Sequence, residues 1–202
     1  MQATLSPKSP PRSRLPAAER RKAILDAALG LFAERDYETI SMAAIATTSG
    51  VTKPVLYDHF ASKQQLYVAL VEREAAARAA ALAPSVDSEA PLEERFRSLA
   101  SSAIKYARRH PRSSRLLLQM PNGDPVVREA HEAVRARRRE RIATAILADP
   151  EFRASPGLSR RASAELLADL HGTVLERIVH WALDRPSLSA ATLSGVFVDV
   201  LL

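Results

Sequence analysis

The chain has 202 residues, a formal net charge of +6 and no cysteine, which excludes disulfide frameworks, thiolate zinc sites and cysteine nucleophiles. Apolar residues make up 47% and charged residues 26%, the balance of a soluble globular protein, and no apolar run approaches the ~20 residues of a membrane span. The N-terminus has prolines where a signal peptide needs an apolar stretch, so we expect a cytoplasmic protein with no membrane partner.

Apolar residues recur at helical spacing and glycine is scarce, so the chain is predicted to be all-α. Residues 1–16, rich in proline, serine and basic side chains, are predicted to form a flexible arm. The predicted helices run over 16–35 and 42–48, then a third capped by Thr52, a fourth from Ser62 to Pro84, and further helices over 89–109, 112–120, 125–148, 159–184 and 187–202. The last helix ends on apolar residues without a cap, and the sequence leaves open whether the native chain extends past Leu202.

The informative stretch is 41–60, where two short predicted helices flank Gly50. Two such helices joined by a tight glycine turn are typical of a helix-turn-helix, with a generic helical hairpin as the alternative. Five apolar residues are spaced to close a small core over the first helix: Ile45, Ala46, Val51, Leu56 and Phe60. The other positions of the third helix are then expected to face outward: Lys53, Pro54, Val55, Tyr57, Asp58 and His59.

This region resembles the TetR family of regulators over about residues 18–70. The resemblance is carried by the Ile45-Ala46 and Gly50-Val51 pairs, the Leu56-Tyr57-x-His59-Phe60 run, and Ser62-Lys63 with Leu66. It implies a basic arm at 1–16, a helix-turn-helix DNA-binding domain at 17–65 and an effector-binding and dimerisation domain at 66–202. It also implies a sequence-specific repressor that binds double-stranded operator DNA and is released by a small hydrophobic or amphipathic effector.

The resemblance assigns roles to eight residues. Ser41 and Thr52 would contact phosphates from helix N-termini, and Tyr57, His59 and Lys63 would hold phosphate without reading sequence. Base edges would be contacted by Lys53, Pro54 and Val55.

Two alanines depart from the family pattern. Ala43 stands where many members carry a polar residue that touches DNA, and Ala44 stands where an acidic residue often completes a capping box with Ser41. Base readout is therefore expected from the third helix. The arm, with Lys8, Arg12 and Arg14, either enters a minor groove or is a solvated basic tail.

The C-terminal half carries two apolar stripes and a basic run. The stripes are Leu167, Leu170, Val174, Ile178 and Trp181, followed by Leu193, Val196, Phe197 and Val200. They fit either a single-chain core or the homodimer through the last two helices that the resemblance implies. The run Arg135–Arg141 is interpreted as a solvated helix face, with a salt-bridge role toward a subunit or effector as the alternative. Seven residues are candidates for an effector pocket, with plain core as the alternative: Phe96, Leu99, Ala103, Tyr106, Leu117, Met120 and His171.

Two other classes of protein compete with this interpretation. An enzyme is disfavoured because the five histidines form no His-x-x-x-His pair and no glycine-rich phosphate loop is present, although a catalytic set assembled from distant residues stays open. We expect no enzymatic activity, no cofactor and no metal. A helical interaction domain that has lost DNA binding is disfavoured by the intact 52–63 segment. Within the class, activation or effector-independent repression stay open.

Overall fold

The computed structural model describes residues 16–87, 89–119 and 123–201. These residues form nine α-helices and one short 3₁₀ helix with no β-strand among them, so the predicted all-α fold is confirmed. The α-helices are α1 (Ala17–Glu34), α2 (Met42–Ser49), α3 (Lys53–His59), α4 (Lys63–Val86), α5 (Leu92–Arg109), α6 (Pro111–Leu118), α7 (Pro125–Leu147), α8 (Arg160–Asp184) and α9 (Ala190–Leu201), and the 3₁₀ helix Tyr37–Thr39 lies between α1 and α2.

Side-chain caps fix where several helices begin. The hydroxyl oxygen of Ser41 accepts a hydrogen bond from the amide of Ala44 at 3.1 Å, and that of Ser62 accepts from the amide of Gln65 at 3.1 Å. Both bonds satisfy amides that have no partner within the helix. The expected cap at Thr52 differs, because Thr52 precedes α3 without a side-chain cap bond. Its hydroxyl is thus not engaged by the helix that it precedes.

Gly50 ends α2 and turns the chain into α3. Its φ of 70° lies in the left-handed region, which glycine adopts without the steric cost that other residues meet. The amide of the next residue, Val51, donates to the carbonyl of Ala46 at 3.1 Å, which closes the C-terminus of α2. The helix-turn-helix therefore depends on a backbone conformation at one position.

The predicted end of the fourth helix at Pro84 is wrong, because α4 continues to Val86 with Pro84 inside it. Proline lacks an amide donor, but the two residues after it are buried and fix the last turn against α5. The hydroxyl of Ser85 lies 3.0 Å from that of Ser102 on α5. Packing thus outweighs the proline signal near the helix end.

The apolar side chains form two cores. The N-terminal core packs α1–α4 around Phe32 and Tyr67 and takes in Leu116, Leu117 and Val127 from α6 and α7. The C-terminal core packs α4, α5, α7, α8 and α9. The helix α4 contributes side chains to both cores, so the two cores are not separated at one point of the chain. The division into domains at residue 65 stays a prediction. None of the described helices is long and apolar enough to cross a membrane.

Polar contacts at Asp124 connect the helix-turn-helix end of the molecule to α7. The carboxylate of Asp124 caps α7 by accepting from the amide of Val126 at 3.0 Å. It also accepts from the side-chain amide of Gln64 at 2.8 Å and the hydroxyl of Tyr37 at 3.4 Å. The hydrogen bond from Gln64 holds the pKa of Asp124 below its usual value. One carboxylate thus joins the 3₁₀ helix, α4 and α7.

Candidate nucleic-acid interface and cavity

The candidate nucleic-acid interface is the exposed side of α3 with the N-termini of α2 and α3. Lys53, Pro54 and Tyr57 are exposed, with 51% of Tyr57 accessible to solvent. Ser41 and Thr52 are exposed immediately before the two helices. A helix that presents exposed side chains from its first turn has the form of a major-groove reader.

Two positions of α3 are less exposed than the sequence predicted. Val55 and His59 are half-buried, not outward-facing. Arg21 of α1 accounts for part of this: its guanidinium lies 4.2 Å from the ring centroid of Phe60 and donates to the carbonyl of His59 at 3.3 Å. Arg21 thus fastens the end of α3 to α1, a positioning role that the sequence did not reveal because 38 residues separate the two groups.

Lys63 is half-buried at the start of α4. Its ammonium group donates to the carbonyl of Tyr37 at 2.8 Å and lies 4.1 Å from the centroid of that ring. An ammonium has three donors, and the Tyr37 carbonyl takes one of them. The arm residues Lys8, Arg12 and Arg14 lie outside the described residues.

A cavity of about 270 Å³ lies between α4, α5, α6, α7 and α8. Its wall is mostly apolar and carries several polar groups, among them Arg78, Arg138, His171 and Ser114. Apolar walls with a few convergent polar groups are typical of small-molecule sites. No group of three or more metal-ligating side chains occurs among the described residues.

The structure separates the seven residues predicted for the pocket. Leu99, Ala103 and His171 line the cavity. Phe96 and Tyr106 are buried but do not line it: the Phe96 ring packs at 4.7 Å from that of His171, and Tyr106 packs against His110. Leu117 belongs to the N-terminal core, and Met120 lies outside the described residues.

The basic run 135–141 is a solvated helix face only in part: Arg137 and Arg139 are exposed, whereas Arg135 and Arg138 are half-buried. Its arginines pair with acids on other elements. Arg138 and Arg135 both contact Glu176 of α8, at 2.6 and 3.6 Å. Further pairs join Arg137 to Glu72, Arg139 to Asp169 and Arg141 to Asp87. Arg137, Arg138 and Arg141 also line the cavity. The run therefore links α7 to α4 and α8 and borders the cavity.

Sequence reasoning missed the cavity arginines. Arg78 interrupts the alanine-rich middle of α4, and a lone charge in an apolar stretch was a signal that it faces something polar. Arg138 gave no such signal because it stands among other arginines of the run.

An exposed apolar face covers parts of α8 and α9. Leu166, Leu170 and Trp181 on α8 and Val196 and Val200 on α9 are 43–65% exposed. Their spacing of 4 and 11 residues places the α8 members on one side of the helix. The other members of the predicted stripes divide: Leu193 and Phe197 are buried in the C-terminal core, and Leu167, Val174 and Ile178 pack partly against it.

Known proteins resemble this chain in sequence or in fold. Residues 24–70 match the model of the family "Bacterial regulatory proteins, tetR family". The chain is 49% identical over 61 residues to the HTH-type transcriptional activator FasR of Mycolicibacterium smegmatis, which covers 30% of this chain and 28% of FasR. It is 45% identical over 56 residues to the HTH-type transcriptional repressor KstR of Rhodococcus jostii, which covers 28% of this chain and 26% of KstR.

The matches to these curated relatives span less than a third of either protein's length. The fold, by contrast, is shared throughout. A TetR-like transcriptional regulator from Rhodococcus sp. RHA1 superposes with a TM-score of 0.74 at 24% sequence identity, covering 93% of this chain and 96% of that one. Residues 24–70 therefore carry a helix-turn-helix of the tetR family of bacterial regulatory proteins, and the chain as a whole shares the fold of a TetR-like transcriptional regulator.

Proposed function

We propose that this protein is a homodimeric transcriptional repressor that binds operator DNA through α3 and leaves it when a small hydrophobic or amphipathic molecule occupies the cavity. The observation that carries the proposal is the capped α2–Gly50–α3 unit with Lys53, Pro54 and Tyr57 exposed along α3. Lys53, Pro54 and Val55 contact base edges, while Ser41, Thr52, Tyr57, His59 and Lys63 contact phosphates and fix the register.

The homodimer is supported by the exposed apolar face on α8 and α9. Five large apolar side chains left in water on two adjacent helices are costly, and a second copy of the chain would bury them. A two-fold dimer presents the same face from both subunits and places two α3 helices at half-sites of a palindromic operator. One seven-residue helix alone offers too few contacts for operator affinity.

Coupling between the cavity and DNA has a physical path in the contacts of α4 and α7. Both helices line the cavity, and both reach the N-terminal core through Tyr67, Val127 and His131. A molecule that separates α4 from α7 therefore shifts the position of α3 in each subunit. Because the two α3 helices must match the operator spacing, a small shift lowers DNA affinity.

Selection of bound duplexes from a random DNA pool tests the proposal. We expect a palindromic sequence, bound by a dimer and more weakly as salt is raised, because phosphate contacts release counterions. Amphipathic small molecules are then added to the complex of the protein with the labelled duplex. Compounds that release the duplex should lower its fluorescence anisotropy. A pool with no enriched sequence would overturn the DNA-binding part of the proposal.

Activation is a second candidate, because the 49% identity over 61 residues is to a protein named as an activator. The two roles use the same DNA interface. A reporter with the selected operator placed inside and then upstream of a promoter separates them: a repressor lowers expression from the inside position, whereas an activator raises it from the upstream position.

A further inference from the structure

The cavity wall has an excess of positive charge. Arg135 and Arg138 share the single carboxylate of Glu176. Arg78 faces the same cluster, and no hydrogen bond or ion pair joins it to any described residue. Three guanidinium groups therefore face one carboxylate, which leaves two positive charges in the cluster without a counter-charge. The side chains of Arg135 and Arg138 are only 25% and 22% exposed, and charged groups with little access to water are normally paired, so the cluster can accept an anion.

Electrostatics at Arg78 agrees with this imbalance. Burial of its guanidinium and the nearby charge of Arg138 lower the pKa of Arg78 to about 10, so it remains protonated at neutral pH. The other arginines that line the cavity are occupied: Arg137 holds Glu72 through two bonds of 2.8 Å, and Arg141 holds Asp87. Among the described residues that line the cavity, Arg78 is thus the arginine whose hydrogen-bond donors have no partner.

Two neutral polar groups of the same wall also lack partners. Neither ring nitrogen of His171 has a hydrogen bond among the described residues, and the hydroxyl of Ser114 has none. His171 is only 1% exposed, and an unsatisfied buried polar group costs about 1–3 kcal/mol. Both residues line the cavity with Arg78. A ligand group that accepts hydrogen bonds in the cavity would satisfy the N–H of His171 and the hydroxyl of Ser114 together.

We propose that the cavity binds a compact oxyanion carried at the end of a medium-length apolar chain, with Arg78 as the residue that recognises the anion and Arg138 as its neighbour. The inference rests on the proposed effector role and names the chemical class of that effector. A volume of about 270 Å³ corresponds to roughly nine water-sized volumes, which fits a chain of about eight carbons. A guanidinium matches a carboxylate or phosphate through two parallel hydrogen bonds.

Gly172 is part of the arrangement because it lets Arg138 lie against α8. A Cβ at position 172 would meet the terminal nitrogen of Arg138 and lie 3.1 Å from its Cζ. Gly172→Ala therefore moves the Arg138 guanidinium without changing its charge. This variant tests the placement of the charge separately from its presence.

Calorimetric titration of the full chain with octanoate, octyl phosphate, octan-1-ol and octylamine tests the anion site. Octanoate or octyl phosphate should bind more tightly than octan-1-ol, and octylamine should bind most weakly. The comparison of the two anions distinguishes a carboxylate from a phosphate. Arg78→Met should weaken anion binding about 10- to 100-fold and change octan-1-ol binding much less, and Gly172→Ala should also weaken the anions selectively.

Arg139→Met is the matched control, because Arg139 lies on α7 beside Arg138 but contacts Asp169 outside the cavity wall. It should leave all four affinities unchanged. Helicity and the unfolding midpoint of each variant verify that it folds. Anions that bind no more tightly than octan-1-ol, or an Arg78→Met variant that loses anion and alcohol equally, would overturn the anion site.

Failure of the proposed function gives a different pattern. If octanoate binds with this charge dependence but does not lower affinity for the selected duplex, the anion site stands and the effector role fails. If a duplex is selected but neither anion is preferred over octan-1-ol, the DNA-binding role stands and the anion site fails.

Discussion

The hydroxyl of Tyr67 lies 3.0 Å from Nε2 of His131, and both side chains are buried. Tyr67 is on α4 and makes edge contacts with the rings of Phe32 and Tyr37 in the N-terminal core. His131 is on α7, one of the helices that line the cavity. This hydrogen bond therefore joins the core under the helix-turn-helix directly to the helix whose C-terminal half carries Arg138.

Tyr67→Phe should lower the free energy of unfolding by about 1–3 kcal/mol, because it leaves Nε2 of His131 buried without a partner while keeping the ring in place. Urea unfolding followed by circular dichroism measures the change. Tyr57→Phe removes the same hydroxyl from an exposed ring and should stay within about 0.5 kcal/mol of the parent chain. Equal losses in the two variants would contradict a role for the buried bond.

Lys53→Ala should change which base is preferred at one operator position and weaken binding to the parent site by about 1–3 kcal/mol. Lys53 is exposed in the first turn of α3, where side chains reach base edges. Selection from a random duplex pool with the variant measures the change. Tyr57→Phe is the comparison, since loss of a phosphate contact should weaken all sites alike. An unchanged preferred site with unchanged affinity for Lys53→Ala would show that Lys53 does not read a base.

Lys63→Met separates a phosphate contact from a structural role. The variant loses the bond to the Tyr37 carbonyl, so stability should fall modestly in either case. If Lys63 also holds a phosphate, the plot of log affinity against log salt concentration should become shallower by about one phosphate's worth. A lower stability with an unchanged salt slope would assign Lys63 to the structure of the domain alone.

Acid should destabilise the protein through its two buried histidines. Burial lowers the pKa of His131 to about 4 and that of His171 to about 3, whereas the unfolded chain titrates them near about 6.5. Above that pH both states are neutral and the histidines contribute no pH dependence. Below it the unfolded chain binds protons that the folded chain excludes, so the free energy of unfolding falls by up to about 1.4 kcal/mol per pH unit for each histidine.

Urea unfolding between about pH 7.5 and pH 5 measures this slope. His131→Gln should make it shallower, and His180→Gln, at an exposed position of α8, is the control. A slope that is the same in the parent chain and in His131→Gln would rule out His131 as its source.

Trp181→Glu should convert the proposed homodimer to a monomer by placing a charge in the exposed apolar face. Sedimentation measures the mass, and the helical signal should be retained because Trp181 is 43% exposed. Val126→Glu introduces the same charge at an equally exposed apolar residue in the first turn of α7, and should leave the oligomeric state unchanged. A dimeric Trp181→Glu variant would place the interface elsewhere.

The helix-turn-helix could be predicted from sequence because its signals are local. Ser41 as a cap, Gly50 in the left-handed region and the apolar spacing from Ile45 to Phe60 all act within 20 residues. The less exposed positions of α3 were not predicted, since the cover that Arg21 gives to Phe60 and the end of α3 comes from another helix. The continuation of α4 past Pro84 was missed for the same reason, because contacts of Ser85 with α5 decide it.

The sequence by itself thus determined the all-α fold, the position of the reading helix and the apolar stripes of α8 and α9, because helical periodicity and capping depend on neighbours along the chain. Only the tertiary structure decided which stripe residues are buried and which are left exposed. It also decided that Arg78 faces a cavity and that Arg135 and Arg138 share Glu176. These groups lie on three helices distant in sequence, and the charge imbalance among them exists only once α4, α7 and α8 are packed together.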